Sequence, residues 1–118
     1  MSKTFAIWKD SICLSGFIFL LSSCAPTEVK IPNKLFTVEI KEMKFQPEEL
    51  TLQKGDTVVW INRDIVAHDA TEEKGRNWTS GPLASGESWS LVVTESANYF
   101  CSIHVVMKGK LLVQKLQP

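Results

Sequence analysis

Histidine and cysteine are scarce in this chain, and this limits the chemistry that it can carry out. Its 118 residues include only two His and three Cys. Sites that need three or more imidazoles are excluded, which removes multinuclear copper enzymes and zinc hydrolases with three His ligands. An odd number of cysteines cannot all pair within one chain, so at least one thiol has another role.

The chain also lacks an excess of charge and a long hydrophobic segment. It has 13 Lys and Arg against 13 Asp and Glu, so no basic excess predicts a nucleic-acid partner. The main apolar run, residues 11–21, is shorter than the roughly 20 residues that span a bilayer as a helix. An apolar content of 44% and a charged content of 22% are ordinary for one folded domain of this length.

The N-terminal residues have the pattern of an export signal. Lys3 and Lys9 precede the apolar run, and Leu21-Ser22-Ser23-Cys24 closes it. This ending resembles a bacterial lipobox, so residues 1–23 are predicted to be a lipoprotein signal peptide and Cys24 the lipid-modified first residue of the mature chain. The alternative is an ordinary signal peptide with a chance Cys. Residues 24–33 are predicted to be the lipidated Cys and a flexible tether of about 30 Å or less.

This interpretation assigns two of the three cysteines. Cys13 lies in the discarded signal and Cys24 is acylated, which leaves Cys101 as the one thiol of the mature chain. Export leads to an oxidising compartment, where an unpaired thiol is a liability unless it is buried or bound. We therefore expect an exported, membrane-anchored lipoprotein that faces the periplasm or the cell exterior.

From Lys34 onward apolar and polar residues mostly alternate, which is the pattern of β-strands. Residues 36–40 predict a half-buried strand, and residues 57–62, apolar on both faces, predict a central one. Further strands are expected at residues 50–52, 89–93, 99–101 and 111–113. The longest loop, residues 64–83, has room for one short edge strand. Residues 34–118 are therefore predicted to form an all-β domain, a Greek-key two-sheet β-sandwich.

One motif and a second histidine provide a set of metal ligands. The segment from Cys101 through His104 to Met107 places a thiolate, an imidazole and a thioether three residues apart, a pattern expected by chance only about 0.001 times. His68 lies in the loop after the predicted central strand. Two His, one Cys and one weak axial Met are the ligands of a blue-copper site. Zinc also accepts one Cys and two His, but the thioether favours copper.

From about Lys34 to Gln114 the chain resembles the cupredoxins of the plastocyanin/azurin family, with a short ligand loop of the amicyanin type. The likeness is carried by the Cys-x-x-His-x-x-Met loop and by residues 43–47 (MKFQP), 60–63 (WINR) and 79–83 (TSGPL). The resemblance implies one copper per chain, cycling between Cu(I) and Cu(II). It also implies four metal ligands: His68, Cys101, His104 and Met107.

The chain departs from the family pattern beside these ligands. The family often has Pro before the first ligand His and after the second, where this chain has Ala67 and Val105. It commonly has Asn directly after the first His, a residue that ties the two ligand loops together, where this chain has Asp69. A carboxylate there can still accept a hydrogen bond from Ser102 and favours Cu(II) by Coulomb attraction. The alternative is that Asp69 points to solvent.

The resemblance implies a mononuclear type 1 copper protein, not an enzyme, that carries single electrons between extracytoplasmic redox partners. We expect a monomer with transient partners such as c-type cytochromes or an oxidoreductase. Ile103, Val105 and Val106 are expected to surround His104 as an exposed apolar docking surface. The alternative is a periplasmic copper-binding or delivery protein with no role in electron transfer, although the sequence offers no clusters of Met or His for exchanging the metal.

Overall fold

The described part of the chain is built of β-strands. The computed structural model describes residues 16, 22–27 and 31–115, and no α-helix occurs among them. The eight strands are β1 (Leu35–Lys41), β2 (Lys44–Gln46), β3 (Glu49–Gln53), β4 (Thr57–Asn62), β5 (Thr71–Glu72), β6 (Ser88–Val92), β7 (Ala97–Phe100) and β8 (Lys108–Gln114). The all-β prediction is confirmed.

The strands form two four-stranded sheets. Their orders are β2-β1-β4-β6 and β3-β8-β7-β5. Each sheet contains one parallel pair, β1 with β4 and β3 with β8, and its other neighbours run antiparallel. Buried side chains from both sheets join in one core cluster, which includes Val38, Val58, Trp60, Leu52, Tyr99 and Leu111. The predicted two-sheet sandwich is confirmed.

Most strands lie where the alternation of the sequence places them. β4 is an inner strand, and β5 forms the edge of its sheet within the long loop, both as expected. β2 was not predicted, because its three residues (KFQ) contain one apolar side chain. The turn before it also lacks the usual signal, since Glu42 and Met43 adopt positive φ angles of 56° and 60° where Gly or Asn is typical.

Aromatic residues fill the centre of the core. The rings of Trp78 and Trp89 lie 5.6 and 5.5 Å from that of Trp60, measured between centroids. Tyr99 meets Trp60 edge to face at 5.4 Å. Burial raises the pKa of Tyr99 to about 12, because the phenolate would lose its hydration. A Cβ on Gly109 would lie 2.2 Å from the Tyr99 ring, so this position of β8 requires glycine.

The described N-terminal residues are few. Residues 22–27 have no regular secondary structure, and Cys24 is exposed. Most of the predicted signal peptide, including Cys13, lies outside the described residues. The described residues include no helix long and apolar enough to cross a membrane.

Candidate metal centre

The loop of residues 63–68, which follows β4, carries His68. Asn62, the last residue of β4, is buried, and its side-chain amide donates hydrogen bonds to the carbonyls of Val66 and Leu83, both at 2.8 Å. The backbones of His68 and Leu83 exchange two further hydrogen bonds of 3.1 and 2.7 Å. These contacts fix the backbone on which the fully buried His68 ring is mounted.

The loop of residues 101–107, called the ligand loop below, connects β7 to β8 and carries the other predicted ligands. It is closed by its own backbone, since the Cys101 N–H donates to the Met107 carbonyl at 3.1 Å. The Met107 N–H donates to the His104 carbonyl at 3.0 Å. Cys101 and Met107 are buried, whereas His104 is partly exposed.

Three donor atoms from these loops meet at one point. The Nδ1 atoms of His68 and His104 lie 3.1 Å apart, and each lies 3.9 Å from the Cys101 Sγ. The centre of that triangle is about 2.1 Å from every corner, which matches metal bonds to imidazole nitrogen and thiolate sulfur. A soft thiolate with two imidazoles suits copper, and the buried Met107 lies in the same loop. The residues present therefore fit a copper ion.

The His68 ring is held at Nε2, the nitrogen directed away from His104, by a carboxylate that was not predicted from the sequence. The Oδ2 atom of Asp64 lies 2.8 Å from His68 Nε2. A carboxylate only accepts hydrogen bonds, so Nε2 carries the proton and the Nδ1 lone pair is free to bind a metal. Asp64 also accepts hydrogen bonds from the N–H groups of Glu42 and Met43 at 2.8 and 3.0 Å.

The environment of Asp64 favours its charged form. Partial burial raises the pKa of its carboxyl, but the N–H groups of Met43 and Glu42 and the His68 ring stabilise the carboxylate and hold the pKa below its ordinary value. The only sequence signal was its position four residues before His68, and this spacing has no special meaning in a loop. The contact depends on the β1–β2 turn, which the sequence did not predict.

Asp69 lies inside the protein and does not point to solvent. Its side chain is buried, and its Oδ1 atom accepts a hydrogen bond of 2.7 Å from the Ser102 N–H. The Ser102 hydroxyl donates to the other carboxylate oxygen, so the expected contact with Ser102 is present. The Asp69 N–H points to the Cys101 Sγ at 3.3 Å. Asp69 therefore joins the two ligand-bearing loops.

The partly exposed His104 has exposed apolar residues on both sides of it in the ligand loop. Ile103, Val105 and Val106 are exposed, as predicted, and Val106 retains 83% of its accessible surface. Three further apolar residues that were not predicted are exposed: Ile65, at 94%, and Val66 in the loop that carries His68, and Met43 in the β1–β2 turn. Met43 and Val106 line one open depression of about 270 Å³ beside Met107. The apolar patch below means Met43, Ile65, Val66, Ile103, Val105 and Val106.

Residues 32–114 match the family model of copper binding proteins of the plastocyanin/azurin family. This match covers more than half of the chain. The chain belongs to that family. The family is defined by copper binding, so the cofactor of this chain is copper.

Individual proteins agree with this family assignment. The chain is 33% identical to amicyanin from Paracoccus denitrificans in an alignment of 91 positions that covers 72% of this chain and 70% of the relative. A solved amicyanin variant in its Cu(I) form superposes with a TM-score of 0.63 at 30% identity, covering 68% of this chain and 82% of the variant. A copper-containing nitrite reductase from Thermus scotoductus superposes equally well at 27% identity. This chain covers only 23% of that reductase, so the likeness is to one part of it.

Proposed function

We propose that this protein is an extracytoplasmic one-electron carrier. Nδ1 of His68, Nδ1 of His104 and Sγ of Cys101 would hold one copper ion, with the Met107 thioether as a weaker fourth ligand. The observation that carries the proposal is the triangle of three donors, whose centre lies at bonding distance from each atom. When bound, copper supplies a centre that exchanges one electron between Cu(II) and Cu(I).

The chain's own contribution is to fix the ligands and to expose one of them. Asn62 and Asp64 hold His68, and Asp69 holds the ligand loop through Ser102, and these contacts restrict the movement of the donors. Small rearrangement favours fast electron exchange. His104 is the partly exposed ligand, and it lies in the chain between Ile103 and Val105 of the apolar patch. We assign the patch as the surface on which a redox partner docks, with the electron passing through the His104 imidazole.

Copper uptake by the full chain, purified in detergent, tests this proposal. One equivalent of copper is expected to bind and to give an intense blue colour on oxidation. Cys101→Ser is expected to abolish the colour, because the thiolate produces it. Cys24→Ser, at the other described cysteine, is the matched control and keeps it. A colourless Cu(II) complex of the wild-type chain, or a blue Cys101→Ser protein, would refute the proposal.

The same preparation separates electron transfer from copper delivery. An electron carrier retains its metal and exchanges electrons rapidly with a reduced c-type cytochrome. A delivery protein transfers the ion to a chelating acceptor within the time of mixing. Among the residues that the structure describes, one group of His and Cys side chains has metal-binding spacing. This favours a retained cofactor, and fast loss of copper to the acceptor would contradict it.

We also propose that Cys24 carries a lipid anchor and that residues 25–33 tether the domain to the outer face of a bacterial membrane. The support is the lipobox sequence, together with the exposed position of Cys24. Mass spectrometry of the membrane-purified protein is expected to find an acylated N-terminal Cys24. Cys24→Ala should leave the chain unprocessed. An unmodified N-terminus produced by cleavage at another position would refute the anchor and leave the copper proposal intact.

A further inference from the structure

The buried carboxylate of Asp69 is surrounded by hydrogen-bond donors. Only 3% of its surface is accessible. Its Oδ1 atom accepts from the Ser102 N–H at 2.7 Å and from the Thr71 hydroxyl at 3.0 Å, and Oδ2 accepts from the Ser102 hydroxyl. Three donors aimed at one carboxyl group match the needs of a carboxylate anion, which accepts and does not donate.

The Thr71 hydroxyl also belongs to a longer chain of hydrogen bonds that ends at Asp69. Because the Thr71 hydroxyl has one proton and gives it to Asp69, its 2.7 Å contact with the Thr79 hydroxyl must be donated by Thr79. Thr79 in turn accepts from the Gly81 N–H at 3.2 Å. The dipoles of this relay all point toward Asp69, and such chains strengthen one another.

Dipoles, not a cation, stabilise this charge. Among the ion pairs of the described residues, none includes Asp69. Its field is therefore not cancelled by a neighbouring Lys or Arg. The Asp69 N–H lies 3.3 Å from the Cys101 Sγ, which places the residue directly beside the proposed copper ligands.

We propose that Asp69 is a charged positioning residue that fastens the ligand loop through Ser102 and biases the bound metal toward Cu(II). The inference rests on the proposed copper function. Reduction of Cu(II) to Cu(I) takes one electron from the donor partner, and no bond to Asp69 forms or breaks. The added electron lowers the attraction between the metal and the carboxylate, so the charge opposes reduction.

The expected size of the effect follows from the separation. For a separation of about 6 to 12 Å and an effective dielectric of about 20, removing the charge shifts the ratio of Cu(I) to Cu(II) affinity about tenfold to hundredfold. For a one-electron couple each tenfold change is 59 mV. The Asn at this position of many family members is neutral and of nearly the same shape, so Asp69→Asn isolates the charge.

Spectroelectrochemical titration of the copper-loaded full chain in detergent, at fixed pH and salt, tests the inference. Asp69→Asn is expected to raise the reduction potential by about 60 to 120 mV while the blue colour remains. Asp69→Ser, a second neutral variant, should move the potential in the same direction. Glu39→Gln removes a charge from a half-exposed, ion-paired carboxylate, and its potential should stay close to that of the wild type because solvent ions screen it.

Ser102→Ala distinguishes the effect of the Asp69 charge from the effect of its hydrogen bonds to the ligand loop. It removes one hydrogen bond to Asp69 but keeps the carboxylate, so the potential should rise much less than in Asp69→Asn. In the metal-free chain both variants should lower the urea midpoint, since each weakens the link between the loops. A blue Asp69→Asn protein with an unchanged potential would overturn the inference alone, as would a Ser102→Ala protein with the full rise. A colourless wild-type chain would instead overturn the proposed function and this inference with it.

Discussion

Asp64 provides a sharp test of how the metal centre is held. Its carboxylate binds three groups at once: the N–H groups of Glu42 and Met43, at 2.8 and 3.0 Å, and His68 Nε2, at 2.8 Å. Asp64→Ala removes all three acceptor contacts. The two turn amides lie at an exposed site where water can replace the carboxylate, whereas His68 is completely buried. The main loss of stability is therefore expected from the buried His68 N–H, which is left without an acceptor.

The magnitude follows from these three contacts. A buried N–H left without an acceptor costs about 1 to 3 kcal/mol, and each hydrated turn amide adds about 0.5 kcal/mol. We expect the free energy of unfolding of the metal-free chain to fall by about 2 to 4 kcal/mol. Copper affinity should fall about tenfold to hundredfold, because His68 is no longer held with its Nδ1 lone pair toward the metal. Asp64→Asn, which keeps one acceptor oxygen, should cost about half as much.

Three measurements check this reasoning. Urea unfolding of the metal-free chain gives stability, and competition with a chromophoric Cu(I) chelator gives affinity. Nitrogen-15 NMR of the imidazoles should find His68 protonated at Nε2 in the wild type and a mixture of tautomers in Asp64→Ala. Glu39→Ala is the control, since its half-exposed pair with Arg63 contributes about 1 kcal/mol or less. If Asp64→Ala matched this control in both stability and affinity, the role assigned to Asp64 would be wrong.

Three further predictions concern the core and the surface. Gly109→Ala should destabilise the domain by about 3 kcal/mol or more, because the new Cβ would lie 2.2 Å from Tyr99; thermal unfolding measures this. The folded-state pKa of Tyr99 is raised to about 12, so stability should hold below pH 10 and then fall by about 3 kcal/mol as the pH rises to 12. Alkaline unfolding of the metal-free chain checks that loss, which Tyr99→Phe should abolish. Val106→Ser should slow electron transfer to a protein partner about fivefold without changing stability, and stopped-flow kinetics against a small inorganic oxidant provides the control.

The fold and the ligand set were largely predictable because both depend on local patterns. Alternation between apolar and polar residues marks a strand wherever one face is buried, as in β1, where Val38 and Ile40 are fully buried. The Cys-x-x-His-x-x-Met spacing lies within one loop, so its geometry needs few long-range contacts. His68 was predicted to complete the ligand set because it is the only other His in the chain.

The residues that were missed act through contacts distant in sequence. Asp64 meets Glu42 and Met43 across 22 and 21 positions, in a turn whose positive φ angles the residue types did not signal. Ile65 and Val66 have the composition of a buried segment, yet both are exposed. The Asn62 side chain accepts from the Asp64 N–H and donates to the Val66 carbonyl, which fixes the backbone around both residues, so the loop directs their side chains outward. Sequence pattern alone does not reveal such a constraint.

Two carboxylates close to His68 in the chain tie its loop to different parts of the fold. Asp64, which is anchored to the β1–β2 turn, bonds to the His68 ring, and Asp69, the residue after His68, bonds to Ser102 in the ligand loop. The Asp64 contact sets the orientation of the imidazole, and the Asp69 contact sets the position of the loop that carries Cys101 and His104. Both carboxylates therefore act on the spacing of the three donor atoms, and substitutions at the two positions should perturb that spacing in different ways.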